Sequence, residues 1–252
     1  MVTTLPEPAK GRRELNRIAR TQDFLATALT IVTTEGFDAL TMSRLAADVD
    51  AAVGAVYRYF PSKGALVAEV QREAIERLAE SYVVIRERSD RHFHELGLVG
   101  SDLALARLVL FGRFFAATAD THPQELKLLQ MLMSEWRAVV PVEEALHVVP
   151  AAMRLLDRAR QALDEATVTG AMNDAPAMDR VIIWAAGMSG IMQVSRLEEF
   201  DTELFDGQRL ALQFLLDMFV GWGADRAALD RVGLIVDGLA ARSTLAPSAG
   251  QR

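Results

Sequence analysis

The sequence predicts an all-α fold, with an N-terminal three-helix domain that contains a helix-turn-helix and a larger C-terminal helical domain. Apolar residues recur at helical spacing, and no segment shows the convincing alternation of a β-strand. Two short helical segments, 41–48 and 52–59, are joined by a tight turn and have the dimensions of a helix-turn-helix. The chain of 252 residues is 51% hydrophobic, which is enough to bury a core.

Composition excludes several classes of protein. The chain has no cysteine, which excludes a disulfide scaffold and cysteine metal sites and fits a reducing compartment. The N-terminal residues lack the apolar segment of a signal peptide. The longest apolar run, 181–195, is shorter than the roughly 20 residues that cross a bilayer. We therefore expect a cytoplasmic protein with no membrane partner.

The charge of the chain is unevenly distributed. The net charge is −7, yet residues 1–64 hold eight Lys or Arg against seven Asp or Glu. The first part of the chain is the most basic, and it contains Lys10, Arg12, Arg13, Arg17 and Arg20. We expect residues 1–12 to form a flexible basic arm and residues 243–252 a flexible tail. A basic arm next to a helix-turn-helix is suited to contact phosphates.

Local residue types predict the helix boundaries. A first helix begins after Arg13, and Gly36 supplies the left-handed residue that ends it. Thr41 and Ser62 are N-caps of the second and fourth helices. We expect a domain over 13–63 and a second domain over 64–242. After the fourth helix, which ends near 88, helices are expected at 101–119, 124–138, 142–167, 177–196, 202–222 and 225–242.

The third helix, 52–59, has the composition of a surface that approaches DNA closely. In a helix-turn-helix the second helix of the motif enters the major groove with its N-terminal end toward the bases. The small residues Ala52, Gly54 and Ala55 let the backbone approach, and the amides of Ala52 and Val53 can donate to a phosphate. Arg58 is the one side chain of this helix that can read guanine in a bidentate way.

Residues 36–66, GFDALTMSRLAADVDAAVGAVYRYFPSKGAL, resemble the DNA-binding domain of the tetracycline-repressor-like (TetR) family of transcriptional regulators. The similarity rests on Gly36, Phe37, Thr41, Leu45, Ala46, Gly54, Tyr57, Tyr59, Phe60, Lys63 and Leu66. The resemblance implies that the DNA-binding residues are Thr41, Ser43, Arg44, Ala52, Val53, Gly54, Ala55, Tyr57, Arg58, Tyr59 and Lys63. Among these, Thr41, Ser43, Tyr57 and Lys63 would approach phosphates, whereas Val53, Gly54, Ala55, Arg58 and Tyr59 would face bases.

The turn departs from the family pattern. The family usually has Gly-Val-Ser where this chain has Asp50, Ala51 and Ala52. Asp50 can adopt the left-handed conformation, but Ala52 has no hydroxyl to cap the third helix or to contact DNA. An ordinary helical hairpin, or an interaction module whose hairpin meets protein, remains an alternative for residues 41–60.

The last long helices suggest a partner surface. In segment 202–222, Ala211, Phe214, Leu215, Met218 and Trp222 form one apolar stripe, and Leu212, Leu216, Phe219 and Val220 form another. A helix that is apolar on two sides is buried on two sides. Gly187 and Gly190 would permit close approach of helices in a homodimer. The alternative is a central core helix of a monomer, and the family resemblance favours dimerisation.

Methionines and large aromatic residues between 101 and 196 suit an apolar cavity for a small hydrophobic ligand. The candidate ligand-binding residues are Phe111, Phe115, Met133, Trp136, Trp184 and Met188. The resemblance implies that ligand entry moves the fourth helix and shifts the DNA-reading helices.

We expect a ligand-responsive repressor that binds a palindromic operator in double-stranded DNA as a homodimer and is released by its ligand. No enzyme activity, cofactor or metal is expected, since Glu144 and His147 form a single Glu-x-x-His and no phosphate-binding glycine loop is present. A helical-bundle enzyme or metal carrier without DNA binding remains the alternative.

Overall fold

A computed structural model describes residues 11–130 and 142–242 of the chain. Within these ranges all regular structure is helical and there is no strand, so the predicted all-α fold is confirmed. The described residues divide into two compact units. The first contains residues 11–71 with 142–147, and the second contains 72–130 with 148–242. No helix in the described ranges is long and apolar enough to cross a membrane.

The first unit is built from α1 (Arg12–Glu35), α2 (Met42–Asp48), α3 (Val53–Tyr59) and the first turns of α4 (Lys63–Glu95). Its core contains apolar side chains from all four helices. They are Phe24, Leu25, Ala28, Leu45, Val56, Leu66 and Val70, and all are at most 3% exposed. The boundary between the two units lies between Gln71 and Arg72, and this boundary is inside α4.

The helix ends in the first unit follow the local chemistry of the sequence. Gly36 has a φ of 92° at the end of α1, as its position predicts. The Thr41 hydroxyl accepts a hydrogen bond from the Arg44 amide at 3.0 Å. The Ser62 hydroxyl accepts one from the Ala65 amide at 2.9 Å. The predicted N-caps of α2 and α4 are therefore confirmed.

The second unit contains the rest of α4 and six further helices of the described ranges. These are α5 (Gly100–Thr121), α6 (123–130 as described), α7 (Val142–Val168), α8 (Ala177–Val194), α9 (Gly207–Gly221) and α10 (Arg226–Arg242). The residues of α7 belong to this unit from Val148 onward. A 3-10 helix, Ser195–Glu199, follows α8 directly. The apolar segment predicted at 177–196 is thus an α-helix only as far as Val194.

Rings from three helices pack together in the second unit. Tyr82 on α4 lies 4.8 Å from Phe111 and 5.3 Å from Phe114, measured between ring centroids. Phe111 in turn lies 4.9 Å from Trp184 on α8. All four rings are at most 5% exposed. The cluster joins α4, α5 and α8 by aromatic contacts.

The structure corrects two predicted helix starts. Helix α1 begins at Arg12, so the last residue of the expected arm is helical. Helix α9 begins at Gly207, and not at 202, because Asp206 caps it by accepting from the Arg209 amide at 2.9 Å. Asp201 instead caps a separate turn by accepting from the amides of Glu203 and Leu204. The predicted residues 131–138 of the sixth helix lie outside the described residues.

Candidate DNA-binding surface and ligand cavity

The N-terminal end of α2 holds two predicted phosphate contacts and a paired arginine. Thr41 and Ser43 are exposed, although the Thr41 hydroxyl is already engaged as the cap. Arg44 donates to Asp48 at 2.8 and 3.0 Å and to Glu35 at 3.2 Å. Asp48, followed by Glu35, raises the pKa of the Arg44 guanidinium. The Arg44 charge is therefore shared with two carboxylates.

The first turn of α3 is open. Ala52 occupies the N-cap with extended backbone angles and makes no side-chain cap, as its lack of a hydroxyl predicts. Ala52, Val53 and Gly54 are exposed. A Cβ atom built on Gly54 would meet no heavy atom within 4 Å. The backbone around Gly54 therefore faces free space, and Asp50 in the preceding turn has the left-handed φ of 50° that the sequence allowed.

The end of α3 presents two polar side chains outward. Tyr57 is 50% exposed and Arg58 is exposed. In the described part of the chain, neither side chain has a hydrogen-bond or ion-pair partner. Tyr59 differs, because its ring packs edge-on against Phe24 at a centroid distance of 5.3 Å. The ring that was expected to face bases is thus half-buried against α1.

Two basic residues near α3 make bonds within the first unit. The Lys63 ammonium donates to the Phe37 carbonyl at 2.6 Å. Arg20 donates to the Val49 carbonyl at 3.2 Å, and its guanidinium lies 5.1 Å from the centre of the Phe24 ring. Arg12, Arg13 and Arg17 are exposed at the start of α1. Lys10 lies outside the described residues. Arg58 and these three arginines of α1 are thus exposed cations of the first unit.

A cavity of about 230 Å³ lies among α5, α6, α7 and α8 in the second unit. Three of the predicted ligand-binding residues, Phe111, Phe115 and Trp184, line it. The other described lining residues are Leu129, Gln130, Ala152, Leu155, Leu156, Ile182, Ala185, Ala186 and Met192. None of the described lining residues is charged. We call this space the apolar cavity.

A second cavity of about 390 Å³ shares Phe115 and Met192 with the apolar cavity. Met188, a further predicted ligand-binding residue, lines this second cavity. Its wall also carries the carboxylates of Asp120, Glu198 and Asp206. The structure thus places Met188 beside a more polar space than the apolar cavity that Phe111 and Trp184 line. Met133 and Trp136 lie outside the described residues.

Residues 24–70 match the model of "Bacterial regulatory proteins, tetR family". This range contains the C-terminal half of α1 with its buried residues, all of α2 and α3, and the first turns of α4. Residues 24–70 form a tetR-family domain. The predicted family resemblance is therefore confirmed. Members of the tetR family are DNA-binding regulators and not enzymes.

Several solved structures of transcriptional regulators are similar in fold to this chain. A putative transcriptional regulator from Saccharomonospora viridis in complex with choline has a TM-score of 0.55 and 18% identity, over 79% of this chain and 96% of its own. FadR from Bacillus subtilis, in complex with stearoyl-CoA, has a TM-score of 0.52 and 15% identity. The match covers 77% of this chain and 96% of the FadR chain. SmeT, the repressor of the Stenotrophomonas maltophilia multidrug efflux pump SmeDEF, has a TM-score of 0.52 and 18% identity. The match covers 79% of this chain and 89% of the SmeT chain. No curated protein matches the sequence.

The structure places the predicted dimer residues in three settings: packed within the chain, exposed, and half-buried. Ala211 and Leu215 are buried within the chain, and Gly187 faces the Phe214 ring closely enough that a Cβ atom would clash at 2.1 Å. Gly190 is exposed and open. The remaining predicted residues of α9 and its C-cap, Phe214, Met218 and Trp222, are half-buried. The glycine at 187 thus permits the approach of α8 and α9 within one chain.

Sequence reasoning missed the aliphatic wall of the apolar cavity. Ala152, Leu155 and Leu156 share one face of α7 by their spacing, which the sequence displays. Gln130 donates to the Met192 sulfur at 3.1 Å, and no motif marks either residue. A search for clustered aromatics finds the rings of a cavity but not its aliphatic wall.

Proposed function

We propose that this chain is a ligand-responsive transcriptional repressor that binds a palindromic DNA operator as a homodimer. A small hydrophobic ligand releases it from DNA. The catalytic and metal-carrier alternatives lose support, because the tetR domain is a DNA-binding regulatory domain.

One observation carries the proposal: within a tetR-family domain, the first turn of α3 is bare and open around Gly54. Major-groove binding by a helix-turn-helix requires the N-terminal end of the second helix to approach the base edges. Val53 and Gly54 are exposed, and nothing in the described chain covers position 54. Arg58 and Tyr57 flank the same surface with free polar groups, which suits base reading and phosphate contact.

Exposed apolar side chains on α8 and α9 support the homodimer. Ile183 and Val194 on α8 are 55% and 42% exposed, and Val220 on α9 is 40% exposed. Phe214 and Met218 on α9 are half-buried. A two-fold dimer that pairs α8 and α9 of each copy would bury these side chains. Two DNA-reading helices about 34 Å apart would then fit successive turns of the major groove.

The apolar cavity and its aromatic neighbours support ligand response. Trp184 and Phe111 line the cavity, and Phe111 packs against Tyr82 on α4. Helix α4 begins in the tetR domain and continues into the second unit. Solved structures of similar fold contain choline or stearoyl-CoA. A ligand that favours the DNA-free conformation by a coupling of about 1–3 kcal/mol would lower operator affinity by about 5- to 150-fold.

The test is selection of DNA fragments that the purified chain binds, followed by gel-shift titration at several salt concentrations. We expect enrichment of fragments with an inverted repeat, and binding that weakens steeply with salt because arginines displace counterions from phosphates. An Arg58→Ala variant with the wild-type circular dichroism spectrum should bind less tightly. Recovery of random fragments only, or salt-independent retention, would overturn the proposal.

A further inference from the structure

The second cavity has an apolar floor. Five apolar side chains from α5 and α8 form this floor, and they are Phe115, Ala116, Met188, Ile191 and Met192. Phe115 and Met188 are buried, and the other three are half-buried. The volume of about 390 Å³ is in the range of small-molecule sites. Methionine side chains adapt their shape to a bound molecule, so this floor suits the apolar part of a ligand.

Three carboxylates line the mouth of the second cavity, and they come from three separate elements. Asp120 lies in the last turn of α5, Glu198 lies in the 3-10 helix, and Asp206 is the N-cap residue of α9. Asp120 and Glu198 are exposed, and Asp206 is half-buried. Because these residues are far apart in the sequence, the fold and not one helix face brings them to the same opening. Like charges around one opening repel each other, and a cation bound among them would remove this repulsion.

The partners of the three carboxylates are neutral. Asp120 accepts a hydrogen bond from the Gln208 side-chain amide. Asp206 accepts one from the Arg209 backbone amide at 2.9 Å, whereas the Arg209 guanidinium donates to backbone carbonyls of the preceding turn. The Glu198 carboxylate has no hydrogen-bond or ion-pair partner in the described part of the chain. The negative charge at the mouth is therefore available to a ligand.

We propose that the second cavity binds an organic cation, with the apolar part of the ligand on the floor and its ammonium group among the three carboxylates. The exposed mouth leaves the ammonium part of its hydration, so the cost of burying a charge stays small. A neutral compound of the same shape gains only the contact with the floor, and an anion adds to the repulsion. This inference concerns binding at the second cavity and does not depend on the proposed function.

The test uses three probes that each join a benzyl group to a tetrahedral head group: benzyltrimethylammonium, benzyl methyl sulfone and phenylmethanesulfonate. The head groups are cationic, neutral and anionic. Calorimetric titration measures each probe on the full-length chain. We expect the ammonium probe to bind about tenfold or more tightly than the other two at low salt. Its affinity should fall as salt is added, because exposed charges are screened.

Two neighbouring glutamates provide a matched pair of variants. Glu198 lines the second cavity, whereas Glu199 follows it in the same 3-10 helix, is exposed, and is not among the described lining residues. Both Glu198→Gln and Glu199→Gln remove one negative charge. We expect Glu198→Gln to weaken the ammonium probe about two- to fivefold and Glu199→Gln to change it less than about 1.5-fold. Adding Asp120→Asn to Glu198→Gln should bring the loss to about tenfold.

A measurement on the wild type locates the bound probe without any variant. Ile191 lines only the second of the two cavities, and Leu156 lines only the apolar cavity. In a ¹³C methyl spectrum, benzyltrimethylammonium should move the Ile191 signals and leave the Leu156 signals in place. The inference is overturned if the sulfone binds as tightly as the ammonium probe or the sulfonate binds more tightly. Equal losses in Glu198→Gln and Glu199→Gln, or a shift of Leu156 with Ile191 unmoved, would also overturn it.

Discussion

Arg58 and Tyr57 stand side by side on α3, and their chemistry assigns them different tasks. Arg58 is exposed and has no partner in the described part of the chain, so its guanidinium is free to make a bidentate contact with guanine. Tyr57 is half exposed and offers one hydroxyl, which suits a phosphate. Base contacts determine sequence preference, whereas phosphate contacts determine affinity for every sequence.

Arg58→Ala should therefore relax base preference at one position of each half-site and cost about 1–3 kcal/mol of binding free energy. Tyr57→Phe is the matched control, since it keeps the ring and should weaken binding to all DNA sequences equally. Binding to a library of operator variants measures both. Equal changes of preference in the two variants would show that the roles are assigned wrongly.

His122 is a buried residue whose charge state links pH to stability. It is 2% exposed, and its ring nitrogens lie 3.2 Å from the Ser81 hydroxyl and 3.1 Å from the Thr121 hydroxyl. Burial lowers the pKa of His122 below its ordinary value of 6.5, Glu125 opposes this shift, and Arg77 adds to it. The unfolded chain thus binds a proton more readily than the folded chain.

Stability from His122 is present above pH 6.5 and is lost as the pH falls from there toward the lowered pKa. Between pH 7.5 and 5.5, the Tm of the wild type should fall more than that of His122→Gln. Thermal melts across this range measure the difference. His94→Gln is the control, because His94 is exposed, and it should follow the wild type. If the Tm of the wild type and that of His122→Gln fell equally between pH 7.5 and 5.5, His122 would not be the residue that links pH to stability.

Helix α3 is a short helix that lacks a side-chain cap. Ala52 has the extended backbone of an N-cap residue, with φ −70° and ψ 140°, but no oxygen to accept from the first turn. Ala52→Ser should raise the free energy of unfolding by about 1 kcal/mol, measured by urea titration. The same change at exposed Ala47, inside α2, should lower it by a few tenths of a kcal/mol. A loss of stability at both positions would contradict the capping geometry.

Helix ends were predicted well where one residue determines the local hydrogen bonds. Thr41, Ser62 and Gly36 each act within one turn of their own position, so their roles are visible in the sequence. The start of α9 was missed because Asp201 and Asp206 are both capping residues, and only the folded chain separates the turn from the helix.

Side-chain partners across helices could not be predicted from the sequence. The Tyr59 ring turns toward Phe24, and Lys63 donates to the Phe37 carbonyl, because α1 and its C-terminal loop lie beside them. The cavity wall likewise depends on how four helices meet. Periodicity identifies the apolar face of a helix but does not identify which helix covers it.

The proposed binding to a palindromic operator requires two copies of the chain. Ile183 lies on α8 with 55% of its surface exposed, so Ile183→Glu should leave the fold intact and disrupt a two-fold interface. Sedimentation should then show monomers, and operator affinity should fall by at least tenfold. Leu234→Glu is the control, since Leu234 is 76% exposed on α10 and should remain dimeric. Monomers in the wild type, or dimers in both variants, would contradict the proposed homodimer.

The central claim is that the bare surface of α3 around Gly54 enters the major groove. Gly54→Leu tests it most directly, because a Cβ atom at this position meets no heavy atom of the described chain within 4 Å and leucine favours a helix more than glycine. We expect Gly54→Leu to have an unchanged or higher Tm and to lose operator binding in a gel shift. Operator binding by Gly54→Leu at wild-type affinity would show that this surface does not enter the major groove.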